Sequence, residues 1–206
     1  MVFVVTVSLL VAEVNLPAQT PHSVDAPATP AASATISPSS TVPKDSFALM
    51  PREISGIRAK ILLPKEWNLL EGNLEDGGIV LATREPIASE NDPYTTGLSL
   101  TIDKTGAKES GQKASNYART LAEAAREKAG EEASIITESQ SGTFHEIRFD
   151  FPVEADHPLL VTEVLRANDA TGTITTIVWQ MPKEEGEALK GLRDAILSKL
   201  ILDPTL

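Results

Sequence analysis

The stretch DFPVEADHP gathers Asp150, Glu154, Asp156 and His157 within a few positions of one another. Those residue types can hold a divalent cation: carboxylates with an imidazole suit zinc or manganese, and oxygen donors alone suit calcium. Their spacing does not follow a calcium loop, where acids recur at alternate positions around a fixed glycine. Acids at a strand connection also serve as plain solvated charges. Either no cofactor or a divalent metal such as calcium is therefore expected here. A second acidic spot, Glu90, Asn91 and Asp92, falls in a long polar loop.

Two aromatic residues are the other candidates for binding. Trp67 follows the break in ILLPKEWNLL, and Tyr94 lies in the loop REPIASENDPYTTG. Trp67 reads either as a stacking platform for a small ligand or as a plug over the end of a core, its indole N–H at the rim. Trp179 is in phase with Ile177 and Met181 and reads as core.

Catalytic signals are sparse. His145 shares a phase with Ile147, Phe149 and Phe151, the position of a hydrogen-bonded core or rim histidine. A hydrolase would have to use His145 or His157, yet no G-x-S-x-G elbow accompanies them. Neither a phosphate-binding G-x-x-x-x-G-K-[ST] loop nor a G-x-G-x-x-G turn is present. The chain has no cysteine, which removes disulfides, thiol catalysis, cysteine zinc sites and a lipoprotein anchor. No catalytic residue is expected, and the protein reads as a non-enzyme.

The 206 residues carry 29 acidic against 18 basic side chains, a formal charge of −11. Such a surface repels phosphates and anionic membranes, which argues against nucleic acid or lipid headgroups as partners. Aromatics make up 4% of the chain and hydrophobic residues 41%, so the core must be mostly aliphatic.

Three regions differ in character. MVFVVTVSLLVA is too short to cross a bilayer but has the length of a secretory apolar segment, so 1–18 reads as a signal peptide, though without the usual leading Lys or Arg. Residues 19–47, rich in Pro, Ala, Ser and Thr, read as a disordered tether, because small side chains bury too little to offset ordering entropy. Residues 48–206 read as one globular domain. The protein is thus expected to be exported, periplasmic or extracellular, touching a membrane only through an uncleaved N-terminal segment.

Within the domain, period-2 alternation predicts strands over 56–63, 97–104 and 143–153, and runs bounded by Gly- and Asp-rich turns predict strands over 77–83, 133–140, 158–169 and 173–182. A stripe of Ala114, Tyr117, Ala118, Leu121, Ala122 and Ala125 predicts a helix over 110–132, capped by Ser110 and stopped at Gly130. Leu189, Leu192, Ile196 and Leu200 predict a closing helix after Pro182. Short turns between alternating runs make the strands antiparallel neighbours. The expected class is α+β: an antiparallel sheet flanked by helices, an α/β/α sandwich.

The strand into LPKEW, the LSLTID strand before an amphipathic helix, the meander ending in TITTIVWQMPKEE and the helix LRDAILSKLIL together resemble the PsbP/Mog1-like family over most of 54–203. That resemblance implies a compact sandwich used as a binding or accessory module, and it supplies no catalytic residues. The leading expectation is a secreted, non-catalytic module acting through an envelope or secreted protein partner. The alternatives are a small-ligand or divalent-metal carrier using Trp67, Tyr94 and the acidic connection, and, after it, a hydrolase.

Overall fold

The computed structural model describes residues 48–72, 79–154 and 157–205. The expected signal peptide and tether lie outside the described residues.

The chain opens with an antiparallel hairpin, β1 (Leu49–Ile54) and β2 (Ala59–Pro64), turned by a 3-10 segment at Ser55–Ile57. Then come β3 (Asn68–Glu71), β4 (Ile79–Thr83) and β5 (Gly97–Asp103). The short α1 (Gly106–Glu109) leads to α2 (Ala114–Ala129). The meander β6 (Thr137–Ser141), β7 (Phe144–Val153), β8 (Leu159–Asn168) and β9 (Thr173–Pro182) precedes α3 (Gly186–Lys199). Strands β3 to β9 form one sheet in the order β3-β4-β5-β9-β8-β7-β6, every neighbouring pair antiparallel. The expected class is the observed one.

Side-chain alternation divides the sheet into two faces. Leu98, Leu100, Ile177, Trp179 and Met181 point to the side covered by α3 and the β1–β2 hairpin, where Ile54, Ile61, Leu189 and Ile196 close a core. Ile147, Phe149, Phe151, Val161, Leu165 and Ile174 point to the other side, against the Ala118, Ala122 and Ala125 stripe of α2. Small side chains let that helix lie close to the sheet. The hairpin is also stitched to the end of the chain, since Lys60 and Ile201 exchange two backbone hydrogen bonds of 2.9 Å.

Several boundaries differ from the pattern. Strand β1 was not expected: four consecutive exposed residues interrupt it, so it has no alternation to read. Strand β3 is only four residues long and partly buried, too short for a period. Residues 56–58 belong to the hairpin turn, not to the strand expected from 56, and β6 starts at Thr137 because residues 133–136 are a connection. Ser110 does not cap α2; it closes α1, its N–H bonded to the Gly106 carbonyl, while Lys113 occupies the N-cap. Gly130 does end the helix, at φ 85, with its N–H on the Arg126 and Glu127 carbonyls.

Gly97 marks the tightest approach in the sheet. A Cβ there would sit 2.5 Å from the Ala82 carbonyl oxygen and 2.9 Å from the Thr83 Cα, both backbone atoms of β4. Because strand backbone cannot swing aside as a side chain can, Gly97→Ala must spread the β4–β5 pair. It should cost about 1–3 kcal/mol in a urea titration, with near-native circular dichroism.

Candidate functional site

The aromatic candidates part company across the sheet. Trp67 is buried in the α3-side core, stacked on Trp179 with centroids 5.5 Å apart and planes 26° apart. Tyr94 belongs to the opposite side: its hydroxyl is bonded to Ser99, which is out of phase with Leu98 and Leu100, and its carbonyl accepts from the Gln180 amide at 2.6 Å. Burial pushes the Tyr94 phenol upward.

The acidic connection is also dispersed. Asp150 is within β7, accepting from the Thr162 hydroxyl at 2.5 Å and from Arg193 at 3.4 Å. Glu154 takes Lys183 at 2.7 Å, and His157 is exposed. Asp156 lies outside the described residues. Among the described residues no three His, Asp or Glu side chains converge as metal ligands.

His145 is half-buried at the sheet rim, its Nε2 2.8 Å from Glu138 on β6. Glu138 also accepts two hydrogen bonds from Arg119 of α2, at 2.8 and 2.7 Å. The Arg119 bonds, against a desolvation penalty and with help from His145, bring the Glu138 carboxyl down to about 2. No hydroxyl among the described residues is hydrogen-bonded to His145. The trio ties α2 to the sheet edge. Because the folded carboxyl ionises below its ordinary value of 4.5, its stabilisation is full above that value and vanishes as pH falls toward about 2. Glu138→Gln should flatten the fall of the urea midpoint across this acid window.

The most developed polar surface is a groove beside α3. The α3-facing positions of β7 read Glu146, Arg148 and Asp150 where its other face is apolar. α3 brings Lys190, Arg193 and Asp194 over them. Arg193 is 4% exposed; its Nη1 donates to Thr162 at 2.9 Å and its Nε to Asp194 at 3.1 Å. Arg148 reaches the same Asp194 oxygen at 2.9 Å. Desolvation raises the Asp194 carboxyl, but the Arg148 and Arg193 bonds outweigh it and hold it below the ordinary range. Arg166 bonds Glu146 at 2.8 Å and the Leu200 and Leu197 carbonyls at 2.9 Å, satisfying the orphan acceptors at the end of α3.

Two adjoining cavities of about 420 and 450 Å³ follow this seam and share Arg148 and Asp194. One wall is β6, an edge strand whose residues are all exposed. At the far end stands Ile135, 81% exposed. Nothing in the sequence joined these residues, because Arg148 and Asp194 are 46 positions apart. The available signal was the run Glu146, Arg148, Asp150 in alternate positions of β7.

Glu163 is the other residue sequence reasoning passed over. It is 3% exposed on β8, and burial pushes its carboxyl up to about 7. An acid in phase with Val161 and Leu165, facing α2, was its signature.

The chain is an antiparallel sheet held between helical layers, and similar arrangements occur among solved structures. It is similar to cyanobacterial PsbP (CyanoP) from Synechocystis sp. PCC 6803, at 11% identity and TM-score 0.49 over 77% of this chain and 95% of that one. It is also similar to the Saccharomyces cerevisiae Ran-binding protein Mog1p, at 12% identity and TM-score 0.46 over 76% and 96%. A Pseudomonas aeruginosa protein of unknown function, a putative regulator, gives 12% identity and TM-score 0.45 over 76% and 99%. Both proteins that name the resembled family are thus among the similar structures. No family model and no curated protein matches. No residue role carries across at this distance, so function has to be read from this chain's own side chains.

Proposed function

We propose that the protein is an exported, non-catalytic binding module that engages a protein partner along the α3 groove. The observation that carries this reading is the groove itself: paired charges from β7, β8 and α3 form a rigid floor, and an exposed edge strand forms its side. A floor whose charges already satisfy one another gives orientation and specificity more than raw affinity. An unpaired strand edge offers backbone N–H and C=O groups to an extended partner segment. Ile135 at the groove end provides an apolar contact. Export is supported by the apolar run of the first residues and the small-residue segment after it.

The test is site-specific photo-crosslinking in the source cell. A photoreactive residue at Ser139 or Ser198, both in the groove wall, should give a discrete protein adduct, which Arg148→Glu abolishes. The same residue at Glu66, in the exposed turn leading into β3 at the opposite edge of the sheet, should give none. Equal adducts at both places, or adducts indifferent to Arg148→Glu, would refute the reading.

A further inference from the structure

The sheet face opposite the groove holds a carboxyl with nothing to do in the fold. Glu163 sits on β8 between Phe149 of β7 and Val178 of β9, with Val161 and Leu165 before and after it on the same face. No described residue hydrogen-bonds or ion-pairs with it, and its only perturbation is desolvation. Buried polar groups in folded proteins are almost always partnered, so an orphaned acid in mid-sheet calls for a partner from outside.

Charged groups around it are committed elsewhere or turned to solvent. On α2, Arg119 is held by Glu138, Arg126 donates to the Ser134 carbonyl, and Glu123, Glu127 and Lys128 are exposed. The β9 residues on this face, Thr176, Val178 and Gln180, are uncharged, and His145 of β7 is bonded to Glu138 at the rim. Glu85 of the 84–96 loop is taken by Thr95 and the Thr96 N–H.

There is a way in. α2 covers β7 and β8, but Thr176, Val178 and Gln180 are only half-buried, so solvent reaches the sheet one strand from the carboxyl. Half-buried Leu121, Leu159 and Val178 make this strip apolar. An aliphatic stem ending in a cation complements an apolar strip that leads to an acid, and lysine has the longest such stem with a point charge at its tip. The chain's charge of −11 draws cationic surfaces toward it.

We propose that Glu163 anchors a second docking point, which takes the ammonium of a lysine side chain presented by a protein partner. The lysine methylenes lie along Val178 and Leu121, and the ammonium pairs with the carboxylate. Binding fixes the ionised form, so a proton held by Glu163 near neutral pH is released on association. This site is on the other face from the α3 groove and does not depend on it.

The test uses the full chain and Nα-acetyl-lysine methylamide, with the norleucine analogue as the control that keeps the stem and lacks the ammonium. The lysine compound should shift the Val178 and Phe149 amide resonances, and calorimetry in two buffers should report proton release near pH 7. Glu163→Gln should weaken binding about tenfold and abolish the release. Arg148→Glu, which disables the groove, should bind as wild type does. The proposal is overturned if the norleucine compound binds equally, if Glu163→Gln changes nothing, if no proton is released, or if the lysine compound does not bind.

Discussion

Trp179→Ala should remove about 3–5 kcal/mol of stability, a large share of the roughly 5–15 kcal/mol that holds an ordinary domain together. Trp179 is fully buried on the central strand β9 and is the largest side chain so enclosed. Truncation empties the middle of the α3-side core, and Trp67 loses the ring it stacks on. The stacked geometry adds roughly 0.5–1.5 kcal/mol beyond burial. A control isolates shape from polarity. The Trp179 indole N–H has no hydrogen-bond partner among the described residues, so Trp179→Phe forfeits no bond and sheds a buried unsatisfied donor. It should cost well under half of the alanine effect. Equal losses for both, in guanidinium unfolding followed by circular dichroism, would mean that the core tolerates no smaller ring and the packing account fails.

The second large effect is a stability that declines toward alkaline pH. The Glu163 carboxyl ionises at about 7 when folded and near 4.5 when unfolded. A group raised on folding contributes fully below its unfolded value and loses that contribution as pH climbs through its folded value. The free energy of unfolding should therefore fall between pH 4.5 and somewhat above pH 7, by about 3 kcal/mol at most. Glu163→Met should abolish this slope and leave the protein more stable than wild type at pH 8, because a desolvated charge is replaced by an apolar chain of similar length. Urea midpoints at a series of pH values measure both. A wild-type slope retained in the methionine variant would assign the titration to another group.

The elements that could be read beforehand share one property: a long run with unbroken phase. Strands β5 and β9 alternate over seven and ten residues, and α2 keeps its alanine stripe through four turns. Strand β1 exists because β2 pairs with it along six residues, not because its own side chains demand it. That the sheet lies between helices was legible in the order of strands and helices. The groove was not, because it arises where α3 meets the polar phase of that strand, a meeting that only the sheet order creates. Asp150 illustrates the difference. Read along the chain it belongs with Glu154 and His157, but in space its neighbours are Thr162 and Arg193, distant in sequence. Glu163 escaped notice for the opposite reason. Its strand is buried on both faces, so phase alone does not single the acid out, and the register with Phe149 and Val178 is what places it against α2.

The stitched hairpin has a mechanical consequence. Tension entering at Leu49 is borne first by the β1–β2 pairs, which open one by one from Leu49–Pro64 toward Ile54–Ala59 as a zipper opens. The Lys60–Ile201 clasp stops the tear there and passes the remaining load to the chain end next to α3. The hairpin thus behaves as a fuse: a pull from the N-terminal side spends itself on one small ribbon, and the seven-stranded sheet is spared until the ribbon is gone.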